Sequence, residues 1–238
     1  VKAYSSAWSG FEGKITLGIS AYGFTISPRD VQKTGIVLKG KLKDSGVSLR
    51  LIPNAEPALN TAASHHNKLG LSNNKVELLI VRSKSGKIII AESVGAQNIT
   101  SLARRDQERP KRDAFVGMLP PKLAQIMINL ALPSPLATPH DRSSDQSLCI
   151  LDPFCGTGVL LQEALLLGYN VYGTDLSDKM VDYSQANLDW IKTISRISGT
   201  YQVHQGDAMV TTWQQPIDAV ACESYLGQPF SAPPSPSK

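Results

Sequence analysis

Residues 151–158, LDPFCGTG, combine an acidic residue with two glycines between two apolar stretches. A ligand bound at the carboxyl end of a strand must approach the backbone closely, and Gly156 and Gly158 leave room for that approach. A nicotinamide-binding turn would have a third glycine where Leu161 stands, and it would not begin with a carboxylate facing a pyrophosphate. The segment therefore predicts a cofactor turn that does not bind a dinucleotide.

Three carboxylates follow three successive predicted strands. Asp152 ends the first, Asp175 ends the second 23 residues later, and Asp207 lies in a turn after the third. Asp152 suits a cationic ligand, and S-adenosylmethionine carries both a sulfonium and an ammonium group. Asp175 has the spacing of a ribose contact, and Asp207 could accept a hydrogen bond from an adenine amino group. The alternative for each carboxylate is an ordinary role in a helix cap or turn.

The string DPFCGTG, the acid after the second strand and the GDA turn resemble the sites of class I methyltransferases that act on exocyclic amines of nucleobases. Residues 105–131, RDQERPKRDAFVGMLPPKLAQIMINLA, resemble the linker and leading helix of THUMP-bearing tRNA guanine-N2 methyltransferases of the position-ten type. The segments KITLGISAYG and LLIVRSKSGKIIIAESVGAQNI are similar to their RNA-binding half. The resemblance implies S-adenosylmethionine as cofactor, tRNA as partner, and Phe154 and Thr157 as further cofactor contacts beside the residues named above.

The resemblance also implies where the target amine binds. At the end of the fourth strand the family carries an acidic residue or asparagine, two prolines and an aromatic residue, whereas this chain has ESYLG at residues 223–227. Glu223 can accept a hydrogen bond from the amine and Tyr225 can stack on a flipped base, so both are candidate catalytic residues. Because both prolines are absent, a noncatalytic RNA-binding protein with a retained cofactor pocket stays an alternative. A DNA amino-methyltransferase is another, although it leaves the first 100 residues unexplained.

The elements that must position these residues alternate between strand and helix. Predicted strands at 148–151, 171–173, 201–203 and 217–222 flank helices at 159–167 and 179–194, which indicates a Rossmann-like, doubly wound parallel sheet. The sheet is expected to be truncated after its fourth strand, because the chain after Cys149 has room for only four.

A small α/β domain is predicted ahead of that sheet. Its predicted elements are a strand at 14–22, a helix at 28–43, a strand at 47–52, a helix at 60–69 and a hairpin of 76–82 with 87–94. The resemblance implies that this domain, over residues 1–100, is THUMP-like and binds RNA. Residues 101–147 form a basic linker and a leading helix, and residues 148–238 form the cofactor domain. In the leading helix, apolar side chains with helical spacing are expected to face the core: Leu123, Ile126, Met127 and Leu130.

Charge is distributed unevenly along the chain. Residues 1–132 contain 19 Lys and Arg against 9 Asp and Glu, and the remainder contains 5 against 11. A basic half suits a polyanion, although a solvated basic face is the common alternative. The densest basic cluster gives the candidate RNA contacts, with a mobile linker as the competing interpretation: Arg104, Arg105, Arg109, Lys111 and Arg112.

The cysteine content and the lack of any long apolar run indicate the compartment in which the protein is expected. An odd number of cysteines indicates a reducing compartment, so a cytoplasmic protein is expected. No window approaches the length of a membrane span. No metal is expected, because His65, His66, His140 and His204 lack ligand spacing with the cysteines. The sequence does not predict an oligomeric state.

Overall fold

The computed structural model describes residues 2–114, 117–132, 148–213 and 216–224. The chain divides into two compact units, Val1–Ser101 and Leu102–Lys238. Within the described ranges, no helix is long and apolar enough to cross a membrane.

The first unit is built on a four-stranded sheet with the order β2-β1-β3-β4, in which β4 alone is antiparallel to its neighbour. Its elements are α1 (Lys2–Ala7), β1 (Ile15–Tyr22), α2 (Pro28–Lys43), β2 (Leu49–Leu51), α3 (Thr61–His66), β3 (Lys75–Arg82) and β4 (Ile88–Glu92). The predicted strands, the helix over 28–43 and the hairpin are confirmed. The predicted second helix is shorter than expected.

Local chemistry explains the start of α2 and the core beneath it. Ser27 caps the helix by accepting a hydrogen bond from the backbone of Asp30, and Pro28 occupies the first helical position, where a missing N–H costs nothing. The alternating apolar residues of β1 are buried and pack in one cluster with Val31 and Leu42 of α2. The strand period and the helix cap therefore specify this layer of the first unit.

The second unit contains a four-stranded, wholly parallel sheet with the order β7-β6-β5-β8. Its elements are α4 (Ile99–Gln107), which begins just before the unit boundary, α5 (Pro121–Ala131), β5 (Cys149–Asp152), α6 (Val159–Leu166), β6 (Asn170–Asp175), α7 (Asp178–Ile194), β7 (Tyr201–Gln205) and β8 (Ala219–Val220). The strand order reverses between β5 and β8, and in parallel sheets ligands bind at the carboxyl ends of the strands beside such a reversal.

Two predictions for the segment ahead of this sheet are wrong. Residues through Gln107 are helical rather than a linker. In α5, Leu123, Ile126 and Leu130 are 44%, 46% and 80% exposed, whereas Ala124 and Ile128 are fully buried in the core. Because α5 is apolar on more than one side, its periodicity could not select the face, and the small Ala124 suits the closer contact. Met127 is half-buried against the core, as expected.

Candidate functional site

The carboxyl ends of the four parallel strands of the second unit bring the predicted acidic residues to one edge of the sheet. Asp152 is the last residue of β5 and Asp175 the last of β6. Asp207 lies two residues beyond β7, and Glu223 lies three residues beyond β8. Tyr225 lies outside the described residues. The topology therefore gathers at one edge carboxylates that are up to 71 residues apart in the sequence.

Asp152 is the buried acid of this edge. Its side chain is 3% exposed, and its Oδ1 accepts a hydrogen bond from the Phe154 backbone at 3.1 Å. The pKa of Asp152 is raised to about 7, mainly by burial. The hydrogen bond from Phe154 opposes this rise, whereas the negative charges of Asp175 and Glu223 add to it. In the part of the chain that is described, no basic side chain forms an ion pair with it. A cationic ligand would therefore favour the ionised form of this carboxyl group.

The turn after β5 is fastened on two sides. The Gly156 N–H donates a hydrogen bond to Asp175 Oδ2 at 2.9 Å, and Ser184 Oγ of α7 donates to the Gly156 carbonyl at 2.8 Å. Gly158 has a φ of +80°, and a Cβ there would lie 2.8 Å from Ser184 Oγ. Glycine is therefore required at residue 158 both by the backbone conformation and by the close approach of α7.

Close packing of α6 on the sheet is achieved without the third glycine of a dinucleotide turn. Leu161 is fully buried, and a Cβ on Gly173 of β6 would lie 2.5 Å from its Cδ1. At this contact the glycine is therefore Gly173 of the strand, and the helix contributes the side chain of Leu161. In the sequence Leu161 stands out where a dinucleotide turn has a glycine, whereas its partner Gly173 is marked only as a glycine inside a predicted strand.

Asn187 is a buried polar residue beside the cofactor turn that no sequence motif pointed to. Its buried side chain accepts from the Lys111 N–H at 2.9 Å and donates to the carbonyls of Lys111 and Thr157 at 2.9 and 2.8 Å. It therefore joins the segment before α5 to the cofactor turn. The feature of the sequence that could have indicated it is a polar residue next to Leu188, on the buried side of a long helix.

The remaining candidate cofactor contacts differ in exposure. Phe154 is 41% exposed at the sheet edge, whereas Thr157 is 4% exposed. Asp175 Oδ1 also accepts from the Ser177 N–H, and Asp207 Oδ1 accepts from the Met209 N–H, so both acids shape their own turns. Each carboxylate oxygen can accept a second hydrogen bond, so these turn roles leave capacity for a ligand.

Two arginines of the basic cluster are not surface residues, which corrects that prediction. Arg105 forms a bidentate salt bridge with the buried Glu163, with an Nε–Oε1 distance of 2.5 Å and an Nη2–Oε2 distance of 2.9 Å. Arg109 is 3% exposed and pairs with Asp106 at 2.9 Å, and burial lowers the pKa of its guanidinium. Both side chains are therefore part of the packed interior of the second unit. Arg104, Lys111 and Arg112 are exposed, as an RNA contact requires.

The residues at the edge fit S-adenosylmethionine. A buried carboxyl group with no basic partner among the described residues suits an ammonium, a second carboxylate suits hydroxyl donors, and the glycine turn admits close approach. Among the residues with described positions, no three His, Cys, Asp or Glu side chains are arranged to hold a metal ion. The fold and this edge define an α/β domain that uses S-adenosylmethionine as its cofactor.

Comparison with known families agrees with this class. A family model described as DNA methylase matches residues 7–186, and the chain belongs to that family. A second model, described as a methyltransferase domain, matches residues 151–228. Because the first match includes most of the first unit, the expectation that a DNA methyltransferase would leave residues 1–100 unexplained is wrong.

Similar individual proteins include two archaeal enzymes named tRNA (guanine(10)-N2)-dimethyltransferase. The one from Methanothermobacter thermautotrophicus is 32% identical over 124 residues, which is 51% of this chain and 32% of the relative. The one from Pyrococcus abyssi is 40% identical over 72 residues, 30% of this chain and 18% of the relative. The matched part is thus at most a third of either relative. Among solved structures, TrmN from Thermus thermophilus has a TM-score of 0.41 at 20% identity, covering 87% of this chain and 51% of that one.

Proposed function

We propose that this protein transfers a methyl group from S-adenosylmethionine to the exocyclic N2 of a guanine in tRNA. The observation that carries the proposal is the buried Asp152 carboxyl, which has no basic partner among the described residues and lies beside Asp175 at the ligand-binding edge of the sheet. The tRNA substrate is supported by the 32–40% identity to the archaeal enzymes.

Each candidate residue has a role in this proposal. Asp152 holds the ammonium of the cofactor, Asp175 its ribose hydroxyls and Asp207 its adenine amine, while Phe154 and Thr157 complete the contacts around the glycine turn. The cofactor supplies an electrophilic methyl group on a sulfonium. Glu223 accepts a hydrogen bond from the target amine, and its charge already influences Asp152. Tyr225 stacks on the guanine. Orientation provides the acceleration, and no covalent enzyme intermediate is needed.

RNA binding is assigned to surfaces outside the cofactor edge. The first unit is proposed to be a THUMP-like RNA-binding domain, because residues 1–101 contain 13 Lys and Arg against 6 Asp and Glu. Arg104, Lys111 and Arg112 would add phosphate contacts from the second unit. The cysteines at residues 149, 155 and 222 are free thiols, consistent with activity in a reducing cytoplasm.

Methylation of a DNA amino group is the second candidate. It is favoured by the DNA methylase family match, which extends over both units. The cofactor edge would serve either substrate, since both reactions place an exocyclic amine beside the same methyl donor. The two candidates therefore differ in the nucleic acid that the rest of the chain recognises.

Transfer of labelled methyl groups to unmodified tRNA transcripts and to duplex DNA tests these candidates. The matched variants are Asp152→Asn, which removes the buried carboxylate, and Asp44→Asn, which removes an exposed one. We expect label in tRNA, recovered as N2-methylguanosine, with loss of at least 100-fold in Asp152→Asn, roughly the scale of a lost charge interaction, and wild-type transfer in Asp44→Asn. Label confined to DNA would favour the second candidate. Cofactor binding without transfer to either would support the noncatalytic alternative.

A further inference from the structure

Two lysines from different segments lie over one aromatic ring on the surface of the second unit. The ammonium groups of Lys111 and Lys179 are 5.4 and 5.3 Å from the centroid of the Tyr183 ring. Lys111 precedes α5, and Lys179 lies in the first turn of α7. The exposed Arg112 follows Lys111. These four residues are called the tyrosine patch.

The cations of the tyrosine patch are held in position by buried polar groups. Asn187 binds both the N–H and the carbonyl of Lys111 at 2.9 Å. The Asp113 carboxylate, whose side chain is 10% exposed, accepts from Lys179 Nζ at 2.7 Å, and this hydrogen bond raises the pKa of Lys179. Because these positions are set before a ligand arrives, less conformational entropy is lost on binding.

Lys179 and Tyr183 of the tyrosine patch lie on α7, the helix that also carries the residues that hold the cofactor turn. Ser184, the neighbour of Tyr183, donates to the Gly156 carbonyl, and Asn187 donates to the Thr157 carbonyl. The first turn of α7 follows directly after Asp175 at the carboxyl edge of the sheet. Lys179 therefore lies four residues after Asp175, at the edge of the sheet that carries the candidate cofactor contacts.

The exposed cations of the tyrosine patch can contact a phosphate backbone. Lys111, Arg112 and Lys179 contribute three positive charges. Three acids lie close to them: Asp113, which pairs with Lys179, and the exposed Asp178 and Asp182. The Lys179 side chain remains 58% exposed despite its ion pair, so it can reach a ligand. Ammonium and guanidinium groups are the usual partners of nucleic-acid phosphates, and such contacts set register without reading sequence.

We propose that the tyrosine patch binds backbone phosphates of tRNA next to the nucleotide that is methylated. This inference rests on the proposed function for the identity of the polymer, and it adds Lys179 and Tyr183 to the surface that positions the substrate. Lys179 and Lys111 contact phosphate, whereas Tyr183 and Asn187 are positioning residues that hold those cations beside the cofactor turn.

Binding of an unmodified tRNA transcript to the full chain between 50 and 200 mM salt tests this proposal. The variants are Lys111→Gln and Lys179→Gln, with Lys192→Gln as the matched control. Lys192 also lies over a tyrosine ring, that of Tyr201 at 5.0 Å, but about 20 Å further along α7. We expect each patch variant to reduce the slope of log affinity against log salt by about 0.7 to 0.9, and Lys192→Gln to leave it unchanged. Cofactor affinity should be the same in all three variants.

The outcomes separate this proposal from the proposed function. Salt-dependence slopes equal to the wild type in both patch variants would overturn the proposal that the patch binds phosphate, even if the enzyme methylates tRNA. Lysine-dependent slopes without methyl transfer would overturn the proposed function and leave the patch standing. Tighter binding of duplex DNA than of tRNA would overturn the choice of polymer. If Lys179→Gln lowers the unfolding temperature, Arg112→Gln replaces it, and a wild-type slope there would again contradict the proposal.

Discussion

At the scale of single residues, Asp152 couples folding stability to pH. Its carboxyl group is 3% exposed, and its pKa of about 7 means that the folded protein holds a proton that the unfolded chain releases near pH 4. The main cause is burial, which disfavours the charged form. The sequence places this acidic residue at the end of a predicted strand. The free-energy cost of its negative charge, in contrast, follows from the packing around it.

Replacing Asp152 with asparagine should stabilise the second unit at high pH. Because the folded-state pKa is raised, folding stability falls as pH rises from about 4 to about 7, and the loss amounts to at most about 4 kcal/mol. Asp152→Asn removes this dependence, so the variant should exceed the wild type in stability at pH 8 and lose that advantage near pH 4. Hydrogen exchange of β5 and β6 amides at both pH values measures the difference. A stability difference that is the same at both pH values would contradict it.

At the scale of elements, helix α4 is attached to α6 by a buried ion pair. Arg105 reaches Glu163, whose side chain is 1% exposed and also accepts from Gln125 Nε2 at 2.6 Å. Its neighbour Arg104 forms an exposed pair with Glu108, one helical turn away. Adjacent arginines of one sequence cluster thus have different roles because the helix turns them to different sides.

The two arginines should differ in their contribution to stability. Arg105→Met leaves the Glu163 charge buried without its guanidinium, which should cost about 3–5 kcal/mol. Arg104→Met loses only an exposed pair, which should cost at most about 1 kcal/mol. Urea unfolding of both variants measures the two costs. Equal costs would show that burial does not distinguish these pairs.

The cofactor turn makes a second prediction at the scale of elements. Gly158→Ala introduces a Cβ at positive φ and within 3.2 Å of the Ser184 backbone. Gly46→Ala has a similar φ of +83°, but its Cβ would have no atom of the described residues within 4 Å. Backbone strain alone should cost about 1–2 kcal/mol in both variants. The additional clash should make Gly158→Ala the less stable variant and weaken its binding of S-adenosylmethionine. Calorimetry of cofactor binding and of unfolding measures both effects, and identical behaviour would contradict the close approach.

At the scale of the whole molecule, apolar surface is exposed in each unit. In the first unit Ile88, Ile89 and Ile90 are 58%, 45% and 70% exposed on β4, the last strand in the order of its sheet. In the second unit the apolar stripe of α5 is exposed. Exposed apolar edge strands favour association between chains, since their backbone groups can pair with another strand.

Adding a charge to β4 should reduce self-association. Ile90→Lys places a cation on an exposed strand position, and Ser85→Lys adds the same charge in the adjacent turn without removing apolar surface. We expect less light scattering at high protein concentration in Ile90→Lys alone, with unfolding temperatures close to wild type in both. Equal scattering in the two variants would show that net charge, rather than the strand, controls association.

Local features of the sequence predicted much of the fold and of the candidate site. The alternation of Ile15, Leu17 and Ile19 predicted β1, and Ser27 before Pro28 predicted the start of α2. The acids at 152 and 175 could be placed at one edge because parallel strands end on the same side. These predictions succeeded because they depend on backbone periodicity and capping, which neighbouring residues determine.

Tertiary packing decided what these local signals left open. The side of α5 that is buried depended on the fit of Ala124 and Ile128 against the core, and the burial of Arg105 depended on Glu163, 58 residues away. Asn187 acquired its role only when folding brought Lys111 and Thr157 to either side of it. The sequence by itself determined the strands, the helix caps and the order of the acidic residues, because short-range chemistry sets them. Only the tertiary structure decided exposure, pKa and partners, since these depend on distant residues brought into contact.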